Sequence, residues 1–261
     1  MTATLLVICG IGLASADQAT AQASIDVTLL GTGTPVPALD RFGPSTLVQA
    51  GDQTLVFDAG RGVMQRLAQA GVRYAEIDAL FLTHFHSDHI VGLPDLWLTG
   101  WLTGLAVGPA GPRTRPLTVI GPRGTADLMR YLTLAYAFDL DIRTRADHLP
   151  REGSRFDVVE IDEGTVYEQH GVKVRAFAVK HGDIAPALGY RIEYAGRSVV
   201  LSGDTQYSER LLTAARGVDL LIHEVAGAAG AAAANPAVQS ILGHHTTADR
   251  AAALFAEARP K

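Results

Sequence analysis

The sequence predicts an α/β sandwich: two mixed β-sheets packed face to face, with helices on the outside. Short β-branched apolar runs recur along the chain in two sets, and segments with helical spacing lie between and after them. A chain of 261 residues, 48% hydrophobic and 19% charged, can bury the core such an arrangement needs.

The N-terminus stands apart from this pattern. "LLVICGIGLASA" is an apolar run ending in small residues, "AQA" follows at 21–23, and no Lys or Arg precedes Arg41. The segment resembles a secretory signal peptide over 1–23, cleaved after Ala16 or Ala23, which places the mature protein in the periplasm or outside the cell. The run is short of the ~20 residues of a spanning helix, so no membrane association is expected once the leader is removed. The single cysteine, Cys9, would leave with it. Residues 24–261 then form one domain.

"SIDVTLLGTGTPVP" reads as a strand breaking into a Gly/Pro loop, and "STLVQAGDQTLVFDAG" as a hairpin turning at Gly51-Asp52. "RGVMQRLAQAG" has helical spacing and stops at Gly71. "IDALFLTH" is a buried strand, and "DLWLTGWLTG" puts Trp97 and Trp101 at near-helical spacing, either on a packed helix face or as a wall of a pocket. "PLTVIGP" is a strand and "GTADLMRYLTLAYAF" a helix. "FDVVEI", "VKVRAFAVKHG", "LGYRIEYAG", "RSVVLSGDT" and "VDLLIHEV" are further strands. The Ala/Gly-rich stretch 226–236 reads as a loop or short helix, and "TTADRAAALFAEA" as a closing helix with Thr246 or Thr247 as N-cap.

The densest chemistry lies in "FLTHFHSDHIVGL", where a buried strand delivers His84, His86, Asp88 and His89 into one tight loop. Imidazole and carboxylate are the usual ligands of zinc and related ions. Four such ligands crowd one tetrahedral ion and leave it no open position. They suit two adjacent ions, His84 and His86 on one, Asp88 and His89 on the other. Net charge is −5 with pI about 6.0, and no basic run is present, so a nucleic-acid partner is not expected.

"THFHSDH" resembles the signature of the metallo-β-lactamase superfamily, and other segments resemble its motifs in the same order. "LGTGTPVP" is similar to the N-terminal strand and loop of the superfamily's tRNA 3′-processing endonuclease (ribonuclease Z) and arylsulfatase branches. "FDAG" resembles the motif whose Asp, here Asp58, braces the histidine loop. The resemblance implies a third histidine ligand at His181, a bridging carboxylate at Asp204 in "LSGDT", and, from "LIHEV" and "GHHTTADRAA", Glu224 and His245. It implies a four-layer αβ/βα sandwich with a last strand, carrying a seventh ligand, beyond Lys261; the domain over 24–261 is accordingly expected to be C-terminally incomplete.

The implied activity is that of a metal-dependent hydrolase. On the resemblance, two divalent ions, zinc foremost, are expected at His84, His86, His181, Asp88, His89 and Asp204, where they would supply a hydroxide as nucleophile. Asp88 orients it or takes its proton, and His245 is the general acid, oriented by Glu224. Lactamases of the superfamily lack the bridging Asp, so "SGDT" argues against β-lactams. The endonuclease carries a protruding arm between its "GYR" and "SGDT" segments, where this chain has only a short hairpin. The resulting expectation is a phosphodiesterase or arylsulfatase acting on small anionic esters. Alternatives are a ribonuclease Z-like endonuclease, a lactone or thioester hydrolase, and a catalytically impaired metal-binding protein. A homodimer is compatible with the sequence. His148, His170, His223 and His244 are read as structural or solvated.

Overall fold

The computed structural model describes residues 24–102 and 111–261. The segment 1–23, expected from the sequence to be a leader and containing Cys9, lies outside the described residues. Among those described, no helix is long and apolar enough to cross a membrane.

The first sheet runs in order β1 (Ile25–Gly31), β2 (Ser45–Ala50), β3 (Gln53–Phe57), β4 (Ala79–Phe81), β5 (Leu117–Pro122) and β6 (Phe156–Ile161). The hairpin β2–β3 and the pair β1–β2 are antiparallel, and β3 to β6 are parallel. The crossovers carry α1 (Val63–Gln69), α2 (Ser87–Ile90), α3 (Leu93–Leu102), α4 (Thr125–Ala135) and α5 (Ala137–Arg145). The second sheet contains β7 (Gly164–Gln169), β8 (Val172–Ala178), β9 (Leu188–Tyr194), β10 (Arg197–Leu201) and β11 (Leu220–Ile222), in order β11-β10-β9-β8-β7. Only β10–β11 is parallel, crossing through α6 (Glu209–Ala215). The chain ends in α7 (Pro236–Leu242) and α8 (Ala248–Ala258).

Three apolar layers hold these elements as a four-layer sandwich. Between the sheets, Phe57, Phe81 and Tyr190 pack ring against ring with Leu55, Val174 and Ile192. Outside the first sheet, Leu67, Leu96 and Trp97 cover Val56 and Leu80. Outside the second, Leu211, Leu212 and Leu254 cover Val200. Trp97 and Trp101 are both fully buried, and their indole N–H groups donate to Ser154 O and Pro150 O. They are a packed helix face and not a pocket wall.

The local departures from the sequence reading have physical causes. The helix expected from residue 124 to Phe138 is broken at Tyr136 (φ −102°), and α5 starts afresh at Ala137. None of its side chains is fully buried, and ion pairs Asp139–Arg143 and Asp141–Arg145 brace it instead, so apolar spacing could not announce it. β7 is a half-exposed edge strand of "GTVYEQ", too polar to read as a strand. α6 and α7 carry legible caps that the apolar pattern overshadowed. Ser208 accepts from Leu211 N, and Asn235 accepts from Ala237 N just ahead of Pro236.

Candidate active site

The parallel pairing Phe57↔Phe81 brings the C-terminal ends of β3 and β4 side by side, and Leu201↔Ile222 does the same for β10 and β11. The sheets are stitched at this end: Leu188 N donates to Thr83 O, and Tyr190 Oη to Leu82 O. Carboxyl ends of parallel strands are where α/β sheets present their loops to ligands. Asp58, the histidine loop, Asp204 and Glu224 all emerge here.

The histidine loop is clamped from below by backbone. Ala59 N donates to His89 O, and Gly92 N to Ala59 O. Gly60 lies so close to this loop that a Cβ there would stand 2.6 Å from Asp88 O and 2.5 Å from Gly43 C. Position 60 therefore has room only for backbone.

Buried Asp58 orders the imidazoles. Its Oδ1 accepts from Thr83 N at 2.8 Å; its Oδ2 accepts from Thr83 Oγ1 at 2.8 Å and from His89 Nδ1 at 2.7 Å. A carboxylate only accepts, so His89 carries its proton on Nδ1 and Thr83 spends its proton on Asp58. Thr83 Oγ1 must then accept from His84 Nδ1, 2.9 Å away. Both imidazoles turn an Nε2 lone pair toward the same space, and both Nε2 atoms are buried without a hydrogen-bond partner. On the far side His181 Nδ1 donates to His244 O at 2.8 Å, leaving its Nε2 facing His86 Nδ1 at 3.2 Å.

The nitrogens of His84, His86 and His181 and a carboxylate oxygen of Asp204 lie within 4.8 Å of one another. Asp204 Oδ2 stands 4.0 Å from both His84 Nε2 and His181 Nε2, and 3.3 Å from His89 Nε2. Asp88 Oδ2 is 3.9 Å from His89 Nε2. Orphaned, inward-facing nitrogens around a shared carboxylate fit divalent metal ions.

The electrostatics agree. Burial and the neighbouring imidazoles push the His84 pKa down to about 2, keeping it a neutral donor. Burial also works against charge on His89, but Asp58 and Asp204 on either side outweigh it and raise its pKa well above the usual value. Asp204 is held below the usual carboxylate range, despite its burial, chiefly by His89 and His84. Two carboxylates flanking one imidazole call for positive charge between them, which a proton or a metal ion can meet.

Glu224 and His245 complete the site. Glu224 Oε1 accepts from Thr205 N, Thr246 N and His245 Nδ1, all at 3.0–3.1 Å. His245 Nδ1 is also 3.9 Å from Asp204 Oδ2. Burial lowers the His245 pKa, and the Glu224 carboxylate more than reverses it. The structure thus gathers every residue singled out for the site. It adds three that pattern reading passed over: Thr83, which links Asp58 to His84, Thr205, and the carbonyl of His244. The "T" directly before "HFHSDH" was the one available signal. Of the other histidines, His170 pairs with Asp52 at the surface. His223 is bonded through Nδ1 to Glu224 O, and burial lowers its pKa.

A model of the "Beta-lactamase superfamily domain" matches residues 53–261. The chain is 43% identical over 201 residues to "Ribonuclease Z" of Mycobacterium marinum, covering 77% of this chain and 70% of that protein. It is 40% identical over 235 residues to "Ribonuclease Z" of Mycolicibacterium paratuberculosis, covering 90% and 82%. Among solved structures it is similar in fold to the short form of human tRNase Z, with TM-score 0.67, 23% identity and coverage of 90% and 89%. It is similar likewise to the metallo-β-lactamase fold protein YhfI of Bacillus subtilis, with TM-score 0.66, 20% identity and coverage of 90% and 83%.

Proposed function

The chain belongs to the metallo-β-lactamase superfamily, in its ribonuclease Z branch, and on that premise we propose that it is a metal-dependent endonuclease hydrolysing a phosphodiester bond in RNA. His84, His86 and His181 would hold one divalent ion, zinc by the chemistry of the donors, and Asp88 and His89 a second, with Asp204 shared. Bound there, the ions would supply a water acidic enough to attack near neutral pH and offset charge building on the phosphate. Asp88 would orient that water. His245, held by Glu224, would hand its proton to the departing oxygen.

The observation that carries this reading is the Glu224–His245 pair beside Asp204. A ribose alkoxide is a poor leaving group and needs a proton as it departs. A phenolate leaving an aryl sulfate does not. A built proton donor therefore favours an alkyl phosphodiester over an aryl sulfate, and the 43% identity to a protein named Ribonuclease Z favours a diester in RNA over a small one. The expectation that nucleic acid is not a partner is overturned by the 43% identity to a protein named Ribonuclease Z. That expectation leaned on net charge, which averages over the whole surface and says nothing of one cleft. It leaned also on the β9–β10 hairpin, which is indeed a two-residue turn at Ala195-Gly196. A missing appendage there removes surface but leaves the reacting groups in place.

The test is direct. Zinc-loaded protein is incubated with an RNA hairpin bearing a 3′ extension, with p-nitrophenyl sulfate and with a chromogenic β-lactam, and RNA products are identified by mass spectrometry. Cleavage of the RNA at a defined bond is expected. Turnover of the sulfate with the RNA left intact would refute the proposal. Export through the leader at 1–23 is a separate proposal, supported by the apolar run and small residues there and checked by locating the protein and sequencing its N-terminus.

A further inference from the structure

A cleft of about 380 Å³ opens beside His245, lined also by Lys180, Gln206, Tyr207, Thr247 and Arg250. Resting on the ribonuclease reading above, we propose that this cleft is a nucleotide subsite. Lys180 and Arg250 hold the backbone phosphate adjacent to the one being cut, on the side of the leaving oxygen, and Tyr207 offers a ring face to the base.

Charge is the first argument. The protein carries a net charge of −5, yet no carboxylate is among the residues lining this cleft. Among the described residues neither Lys180 nor Arg250 forms an ion pair. A second cleft of similar size shows the contrast. Its cations are Lys173, Arg191 and Arg197, and there each is matched, Lys173 with Glu168, Arg191 with Glu193, and Arg197 with Asp219. Asp249 lies beside Arg250 and feels its charge, but neither cation is held in an ion pair, and two such cations lining one concavity suit a phosphate group, whose charge dominates RNA affinity.

Placement is the second. Lys180 precedes His181, and its backbone is tied to the segment after Asp204: Gln206 N donates to Lys180 O, and Lys180 N donates to Thr205 Oγ1. Gln206 Nε2 in turn donates to Gly243 O, just ahead of His245. Arg250 lies in the first turn of α8, whose N-cap, Thr247, directly follows His245 and Thr246. Both cations are thus anchored to segments that carry the reacting groups.

Reach is the third. His245 belongs at once to the cleft wall and to the Glu224–Asp204 cluster. Whichever group takes the His245 proton must sit where this wall meets the metal-ligand cluster, so the nucleotide attached to the leaving oxygen extends into the cleft. A volume of about 380 Å³ falls within the ~300–1,000 Å³ of small-ligand sites and suits one nucleotide, not a duplex.

The experiment compares the full chain with the double variant Lys180→Gln/Arg250→Gln, whose altered side chains are both solvent-exposed and so spare the core. Binding of a fluorescein-labelled RNA with a 3′ single-stranded extension is followed by anisotropy in chelator, so that no cleavage intrudes, from about 50 to 200 mM salt. The variant is expected to bind at least ~10-fold more weakly at low salt, with the slope of log Kd against log salt shallower by about 1. With zinc, its kcat/KM on RNA relative to bis(p-nitrophenyl) phosphate should fall at least ~10-fold, because the small diester has no neighbouring phosphate. An unchanged slope, or equal losses on both substrates, overturns the subsite while leaving the ribonuclease reading intact. If the unaltered chain neither binds nor cuts RNA yet hydrolyses the small diester, the ribonuclease reading fails and the subsite with it.

Discussion

Replacing Asp58 by Asn should disarm both metal positions, through protons and not through shape. Asp58 has φ 58°, a left-handed conformation that Asn tolerates well, so the backbone is kept. The amide oxygen must occupy the Oδ1 position, because Thr83 N needs an acceptor 2.8 Å away. The NH2 group then falls at the Oδ2 position, facing His89 Nδ1 and Thr83 Oγ1. Both must now accept. His89 moves its proton to Nε2, and the Thr83 hydroxyl turns its own toward His84 Nδ1, 2.9 Å away, so His84 is also protonated on Nε2. The two nitrogens that should hold metal become donors. Loss of such a supporting bond typically costs ~10–100-fold in metal affinity, and here each position loses one. In chelator the variant should be only about 1–3 kcal/mol less stable, a melting shift of roughly 2–12 °C. With excess zinc the gap should widen by about 1.4–2.7 kcal/mol per position. Competition with a chromogenic chelator measures the affinities, and thermal melts with and without zinc measure the gap. Thr83→Val, which removes only the His84 relay, should weaken one position and spare the other. If Asp58→Asn binds two zinc ions as tightly as the unaltered chain, the relay reasoning is wrong.

Three other outcomes follow from the same contacts. His245→Ala should lower RNA cleavage by ~10²–10⁴, the usual worth of general acid catalysis, yet slow bis(p-nitrophenyl) phosphate by less than about 10-fold, since nitrophenolate leaves unaided; equal losses would remove the acid role. Gly60→Ala should cost about 1–3 kcal/mol in a denaturant melt and loosen metal binding, because its Cβ would press on Asp88 O at 2.6 Å. Asp219, which accepts from Ser198 N and pairs with Arg197 and Lys261, has its pKa depressed to about 2, first by the Ser198 backbone bond. A depressed carboxylate pKa stabilises the fold above the unfolded value and loses that contribution as pH falls toward the folded one. The melting difference between Asp219→Asn and the unaltered chain should therefore shrink as pH drops from about 5 toward 3, and a difference constant with pH would contradict it.

The sandwich and the core of the site were legible for separate reasons. Strands such as "LVF" and "ALF" are apolar on every residue because both faces of a central strand are covered, and that shows in any window. β7 and α5 were not legible, since an edge strand and a surface helix bury little and leave no apolar period. His84, His86, Asp88 and His89 needed no fold to be seen together, because covalent geometry keeps ligands within one loop close. His181, Asp204, Glu224 and His245 come from β-ends and loops far apart in sequence, and only the resemblance pointed to them. Composition misled about the partner, because net charge averages over the whole surface and says nothing of one cleft.

What the sequence alone determined is the chemistry on offer: which donor groups exist, and which strands carry them to one end. Tertiary structure decided how those donors are used. The choice of nitrogen that each imidazole presents depends on Asp58 reaching Thr83 and His89, 25 and 31 residues away. The position of His245 depends on Glu224, 21 residues before it. A proton's place on a ring is fixed by which acceptor lies within about 3 Å, and that distance is set by strand pairing and not by position along the chain.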